Sequence, residues 1–386
     1  MKAPITPIRP ITSLKVSMRL FVLLSLLWLP FARGFSQEKL LFDAALMGTA
    51  GDVRDALEAG VNINVRVEKY SWTVLTGEET ETFSLSGCDA LMVAARCNTD
   101  PDVLRALIDA GSDVYARDKD GATALILASH YNANPDVAQV LIDARSELFV
   151  RDESGKTPLM AAAMYTTNPA VIDTLTAAGA DVRDTDKYGS TPLMFAAWFN
   201  EDPAVVKALI DAGSHVGARE RYGTTALMYA AAYNKNPDVA KTLIKAGSDV
   251  NAKNDNGETA LMFAAGSNTN HQVAQVLIDA KAAVNVRDIN GKTALMYAAN
   301  SNTNPEVIRV LVKAKANVKS ADDLDRTALM FAAGFNTNPD VIQELISAKS
   351  KIRDKDDFGK KAIDYLNKND KITKNDVYWE VRDLLY

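Results

Sequence analysis

From Gly87 onward one glycine returns every 34 residues. Gly121, Gly155, Gly189, Gly223, Gly257 and Gly291 follow it, Asp325 stands in the same slot, and Gly359 closes the series. A phrase travels with the glycine: Lys156-Thr-Pro-Leu-Met-Ala-Ala-Ala, Ser190-Thr-Pro-Leu-Met-Phe-Ala-Ala and Thr224-Thr-Ala-Leu-Met-Tyr-Ala-Ala are three of its copies. One unit in tandem builds a stack in which each copy touches its neighbours, not a globule around a single centre. The 386 residues would otherwise suggest two or three domains. The period makes them one elongated array instead. Such arrays present long surfaces and rarely enclose a site.

The first 36 residues differ in kind. They hold five basic residues (Lys2, Arg9, Lys15, Arg19, Arg33) and no acid. An apolar run from Leu20 to Leu29 follows Arg19, and Gly34-Phe35-Ser36 suits cleavage before Gln37. This reads as a secretory signal peptide. The apolar run is about half the roughly 20 residues of a spanning helix, so a retained anchor is the alternative. Losing the five basic residues leaves 38 against 49 acidic, a formal charge of −11. That balance argues against a nucleic-acid partner, which would call for a clustered basic face.

The two cysteines, Cys88 and Cys97, flank one helical phrase. Nine residues of helix hold them roughly 13 Å apart, beyond the roughly 7 Å that a disulfide spans. Two unbridged thiols are expected, and the spacing fits no zinc pattern.

Gly223–Asn256 serves as the type unit. Gly223 marks a turn where a positive φ or a close approach is expected. Thr225 precedes Ala226-Leu-Met-Tyr-Ala-Ala and can cap the helix that follows. Leu227, Ala230 and Ala231 share one face of it. Asn236-Pro237 opens a second helix, with asparagine as cap and proline at the first helical position. The pair recurs from Asp100-Pro101 to Asn338-Pro339, and Asn270-His271 alone breaks it. Val239, Ala240, Leu243 and Ile244 form the buried stripe of the second helix. Gly247 closes that helix, and Val250-Asn251-Ala252 leads to the next turn.

This unit resembles the ankyrin repeat in its Gly-x-Thr-Pro/Ala-Leu-x-x-Ala-Ala phrase, second helix and Ala-Gly-x-Asp-Val-Asn-Ala arm. The resemblance covers 37–386 and implies an all-α solenoid of helix pairs joined by short β-hairpin turns. The tetratricopeptide family shares the period but not these residues. The chain also departs from the ankyrin pattern. Its period is 34 where the family usually has 33, with the extra residue in the Asn-x-Asn-Pro turn. Methionine (Met92, Met160, Met194, Met228, Met262, Met296, Met330) fills the usual histidine slot. Arg145, Lys281, Lys315 and Lys349 replace the glycine that ends the second helix. A left-handed residue other than glycine costs roughly 1 kcal/mol, partly offset by a cation at a helix C-terminus. Looser turns are expected there.

The period organises the chain as 37–86, an N-terminal repeat carrying an insertion; 87–358, eight tandem repeats; and 359–386, a C-terminal cap. The insertion has 16 extra residues. Its stretch at about 66–86 is rich in strand formers around Gly77 and reads as an elongated β-hairpin. Tyr70, Trp72 and Val74 share one face there, with Phe83 able to pair across. These rings either fold back over the first repeat, the preferred reading, or grip a ligand.

In ankyrin arrays the resemblance implies a protein partner on the concave face, touching hairpin tips and the residues after the alanine pair. Those latter positions run from Arg96/Cys97 and His130/Tyr131 through Met164/Tyr165, Trp198/Phe199 and Ala232/Tyr233 to Gly334/Phe335, and their aromatics Tyr131, Tyr165, Trp198, Phe199 and Tyr233 concentrate in repeats three to six. At adjacent tips lie Tyr188 and Tyr222, with Arg219 and Arg221 beside them. Tyr, Trp and Arg dominate protein interfaces. The primary candidate is therefore a partner site centred on Trp198, and Tyr70, Trp72 and Phe83 form the secondary one. Packing between neighbouring repeats is the competing role for all these rings.

No chemistry emerges. Sulfurs of the methionine stripe, spaced by a helix-packing distance of about 8–10 Å, would hardly share an ion and read as core filler. His130, His215 and His271 occupy three different places in the unit and belong to no catalytic motif. Asp118, Asp152, Asp186 and Asp288 recur at the turns as caps. The expectation is an exported, periplasmic or secreted bacterial monomer that binds a protein, without cofactor, metal or catalysis. The alternatives are a scaffold tethered by a retained anchor and an enzyme with a site at the insertion.

Overall fold

Helices of eight or nine residues are marginal in isolation, so here packing must hold them. A computed structural model describes residues 37–66, 71–76, 79–84 and 87–386, the two short stretches as backbone alone. The signal-peptide segment 1–36 and Tyr70 lie outside the described residues. Twenty helices are found among them. Contacts divide the chain into two compact units, Met1–Lys187 and Tyr188–Tyr386. In the first unit the pairs are Gln37–Met47 with Ala50–Glu58, Ala90–Cys97 with Pro101–Asp109, Ala124–Tyr131 with Pro135–Asp143, and Pro158–Tyr165 with Ala170–Ala177. The second unit runs from Pro192–Phe199 with Pro203–Asp211 to Ala362–Leu366 with Asp376–Leu385. Within each unit, first helices pack on first helices and second on second. That is an all-α solenoid arrangement. Among the described residues no helix is long and apolar enough to cross a membrane.

The caps explain where the helices begin. Thr225 Oγ1 accepts the Met228 N–H at 3.4 Å, and Asn236 Oδ1 accepts the Asp238 N–H at 3.0 Å ahead of Pro237 at the first helical position. First helices are buried on nearly all sides; Ala226, Leu227, Met228 and Ala230–Ala232 are all enclosed. The methionines of the stripe are 0–1 % exposed and act as core filler. Second helices bury one stripe, Val239, Ala240 and Leu243 in the type unit.

The Asn-x-Asn-Pro turn is the main joint between repeats. Its first asparagine is buried and bridges backward with both amide hydrogens. Asn268 Nδ2 donates to the carbonyls of Ala231 at 3.1 Å and Asn234 at 2.7 Å. Asn302 does the same to Ala265 and Asn268, and Asn336 to Ala299 and Asn302. The Oδ1 of each accepts the N–H two residues on. The second asparagine caps its helix and reaches back as well, as Asn304 does to Thr269. These side chains satisfy backbone groups that would otherwise be buried without partners.

The cationic helix ends contradict the looser turns expected. Arg145, Lys281, Lys315 and Lys349 hold φ between 65° and 70°. Lys281 N–H donates to Ile278 and Ala282 N–H to Leu277, both at 2.9 Å, matching Gly213 to Ile210 at 2.9 Å and Ser214 to Leu209 at 3.0 Å. A Cβ added at Gly213 would meet nothing within 4 Å. The strain is confined to the backbone dihedral, and the two closing bonds hold the turn as tight as the glycine version.

The insertion forms an antiparallel hairpin of Ser71–Thr76 and Glu79–Ser84. Its register sets Trp72 opposite Phe83 and Val74 opposite Glu81.

Candidate functional site

Of the side chains named from sequence, those after the alanine pair gather into two groups, each within its own unit. In the first, the helix ends Ala124–Tyr131 and Pro158–Tyr165 bring three rings into a stack. The His130 ring lies 3.8 Å from that of Tyr131, with planes 3° apart, and 4.2 Å from that of Tyr165, with planes 5° apart. The Arg96 guanidinium covers the Tyr131 ring at 4.1 Å. Four planar groups from three consecutive repeats thus form one column, held by stacking and cation–π attraction. All four are half-buried. Burial, followed by the charges of Arg96 and Lys156, pushes His130 down to about 3. The imidazole is therefore neutral, which suits a ring stacked beneath a cation. Burial also raises the phenols of Tyr131 and Tyr165.

In the second unit Trp198 is the hub. Its ring stacks on Phe199 at 4.6 Å, Tyr229 at 5.0 Å and Tyr233 at 5.1 Å, with planes 15–23° apart. Trp198, Phe199 and Tyr229 are half-buried, and Tyr233 is exposed. The hairpin tips carry Tyr188 and Tyr222, both exposed. Backbone ties the tips together: Arg221 N–H donates to the Tyr188 carbonyl and Asp255 N–H to that of Tyr222, each at 3.0 Å. This close approach explains the glycine at the tip, because a Cβ on Gly223 would fall 3.0 Å from Asp255 N. Arg219 is engaged within the unit, donating to the Lys253 carbonyl at 2.6 Å and lying 3.9 Å from the Asp255 carboxylate. Arg221 is exposed and has no ion-pair partner among the described residues.

Tyr229 is the participant that sequence reasoning missed, while Arg96 and His130 stand at the expected post-alanine positions without having been singled out as site residues. A signal for Tyr229 existed. Phe195, Tyr229, Phe263, Tyr297, Phe331 and Tyr365 form a 34-residue aromatic column of their own. Its later members are tied down by polar groups. Tyr297 OH donates to Asp288 Oδ2 at 2.7 Å and lies 2.8 Å from Glu258 Oε1. Tyr365 OH donates to Asp356, and burial followed by this bond holds its phenol up at about 12.

The carboxylates at the turns act as caps, as read from sequence. Asp118 Oδ1 accepts from the Asp120 and Ala122 N–H groups, and Asp288 Oδ1 from those of Asn290 and Lys292. Cys88 and Cys97 are both free thiols, raised by burial to about 12 and about 11. Among the described residues no three or more His, Cys, Asp or Glu side chains gather as metal ligands.

Ankyrin repeats match this chain in three overlapping stretches, 91–186, 162–254 and 227–322. Together they span more than half of its length. The chain belongs to the ankyrin-repeat family, whose repeats mediate protein–protein interaction and are typically non-catalytic. No curated protein matches it.

Proposed function

We propose that the chain is a non-catalytic scaffold whose second unit binds a protein partner around Trp198, on the concave face of its array. One observation carries the reading: Trp198 stacks with rings from its own and the following repeat and remains partly open to solvent, with the exposed Tyr233 beside it. A tryptophan hub stacked with Phe199, Tyr229 and Tyr233 has the aromatic composition of an interface hot spot. The partner is to be captured from an envelope extract with the full chain. Trp198→Ala combined with Tyr233→Ala is expected to weaken its binding at least about 30-fold, as for truncation of a single strong anchor, with the helical circular dichroism kept. Unchanged affinity in a folded variant removes the site.

The segment 1–36 supports an exported chain that begins at Gln37. Mass spectrometry of the mature N-terminus tests this, and a chain retaining Leu20–Leu29 would make it a tethered scaffold instead.

A further inference from the structure

The arms that leave the second helices carry a charge pattern of their own. In the second unit the stretches 279–287, 313–321 and 347–355 hold nine basic residues and two acids. The matching stretches of the first unit, 109–117, 143–151 and 177–185, hold four and six. Between them, 211–219 and 245–253 hold three and two. The same slots thus pass from a formal −2 to +7 in a chain whose total is −6. Lys281, Lys315 and Lys349 share one slot, and Lys319, Arg353 and Lys355 lie further along the last two arms. All six are exposed, and none has a carboxylate partner among the described residues. Of the two acids in these arms, Asp354 is paired with Lys351 and Asp279 accepts from Gln275.

The scaffold does not need this charge. A helix dipole draws cations into the last turn, which accounts for Lys313. Lys319, Arg353 and Lys355 lie beyond it. Earlier arms are tied to one another by an asparagine. Asn251 Nδ2 donates to the Lys281 carbonyl at 3.3 Å and Asn285 Nδ2 to that of Lys315 at 3.1 Å. Their Oδ1 atoms accept the N–H groups of Ala283 and Asn317. Lys319 and Arg353 stand in the slot of that asparagine. Neither side chain has an acceptor, so the most basic arms give up the two-way bridge.

Apolar side chains flank the same edge. The final helix, Asp376–Leu385, packs beside Pro339–Ser347, and the two start together, with Thr373 N–H donating to the Thr337 carbonyl at 2.9 Å. Their ends therefore lie side by side. That puts Leu384 and Tyr386, 52 % and 79 % exposed, next to the arm at 347–355. Trp379 is exposed too and shares a face with Tyr386, since the Arg382 guanidinium lies over both rings at 4.8 and 5.8 Å. Asp383 is paired with Arg382, and Asp376 and Glu380 sit in the first half of the helix, farther from this edge. We infer that this edge of the second unit docks on an anionic phospholipid bilayer. Five of the six free cations are lysines, point charges on flexible stems, where a discrete carboxylate or phosphate site favours the planar fork of arginine. Spread over separate arms, they suit a broad negative surface, to which each adds attraction. Trp and Tyr rest at headgroup level, and charge together with buried apolar area sets the strength of such surface binding. The inference is independent of the Trp198 face.

Co-sedimentation with vesicles tests the inference. The chain from Gln37 is used, since it carries every described helix and leaves out the basic, apolar segment 1–36. It is expected to bind vesicles of phosphatidylcholine with about 30 % phosphatidylglycerol, to ignore pure phosphatidylcholine, and to come off in about 0.5 M salt. Lys319→Gln with Arg353→Gln and Lys355→Gln should weaken binding at least about tenfold, with helical circular dichroism and the melting curve kept. Arg54→Gln with Lys119→Gln and Arg183→Gln removes three exposed cations of the first unit. It makes the same change in net charge and should leave binding unaltered. Trp379→Ser with Tyr386→Ser should weaken it severalfold. No binding, equal binding to neutral vesicles, or equal loss from the two charge variants overturns the inference. Full affinity of the Trp379, Tyr386 variant also overturns it, since a purely electrostatic grip needs no bilayer. Tighter binding to polyglutamate or to duplex DNA than to the vesicles would assign the edge to an acidic protein or a nucleic acid instead.

Discussion

The two units share one backbone plan and differ in what they hang on it. In the first, the tip bond from Glu153 N–H to Asp120 is 3.0 Å, and those of the second run from 3.0 to 3.2 Å. Yet both positions of its tips are polar, Lys119 with Asp120 and Glu153 with Ser154, whereas in the second unit one apolar residue, Tyr188, Tyr222, Ile289, Leu324 or Phe358, stands exposed beside polar ones at every tip but Asp255–Asn256. The aromatic groups diverge likewise. The first unit's column is capped by Arg96 and encloses a neutral histidine, so its rings are occupied with one another. The second unit's hub leaves Tyr233 exposed. The period thus writes the scaffold, and departures from it at exposed positions write the surface.

The asparagine joints allow that comparison to be broken most severely. From Asn234 to Asn369 the backward bridges of the second unit are continuous. Asn302→Ala removes both bonds and the acceptor for Asn304 N–H. Each stranded buried group costs roughly 1–3 kcal/mol, so a loss of about 3 kcal/mol or more is expected in urea unfolding. Hydrogen exchange should rise first at the carbonyl partners' repeats, around 260–302. Exchange confined to the helix ends would show that the joint is not what holds the stack.

The first unit already contains a natural interruption. Asn98 and Asn132 bridge backward, but Thr166 takes the next slot. Its hydroxyl bonds the Asn168 carbonyl inside its own turn. A hydroxyl has one proton and an amide has two, so Thr166 cannot span the two carbonyls an asparagine would. Thr166→Asn is expected to stabilise by about 1 kcal/mol, one net hydrogen bond, and to raise protection between the pairs 124–143 and 158–177. A neutral or lower melting temperature would mean that local packing has adapted to threonine.

Much of this was legible in the chain because its signals are local. Glycine at a close approach, threonine before the first helix and Asn-Pro before the second each act within a few residues. The strands of the insertion were likewise visible in their composition. The stack of Arg96, Tyr131, His130 and Tyr165 was not, since it depends on how side chains from three repeats point. His130 reads as a stray in one repeat and gains its role only from its neighbours. The cationic helix ends were misjudged from residue type alone. What decides them is the pair of closing bonds, which hold a lysine at φ 70° as firmly as a glycine. Trp198 and Tyr233 could be named, but their stacking through Tyr229 required the column that recurs at the same period.

The smallest expected effect comes from another departure in the first unit. The first helices of the second unit through residue 335 begin at Thr191, Thr225, Thr259, Thr293 and Thr327, whereas Ala90–Cys97 begins at Asp89. Asp89 is 2 % exposed. Its Oδ1 accepts the Met92 N–H at 2.9 Å, but Oδ2 has no hydrogen-bond partner among the described residues. Burial raises its pKa, against the opposing pull of the Met92 N–H and the Arg66 charge. A raised folded-state pKa means that the native chain holds this proton more tightly than the unfolded chain, whose carboxylate titrates near 3.9. Stability from this site is therefore greatest at low pH and falls as pH rises from the unfolded to the folded value. Asp89→Thr removes the orphan oxygen and keeps the cap. It is expected to gain about 1 kcal/mol at pH 7, the lower end of the penalty for an unsatisfied buried group. The gain should shrink toward zero as pH approaches 4. A gain independent of pH would assign the effect to packing, and a loss would mean that the carboxylate's pull on the helix N-terminus outweighs its burial.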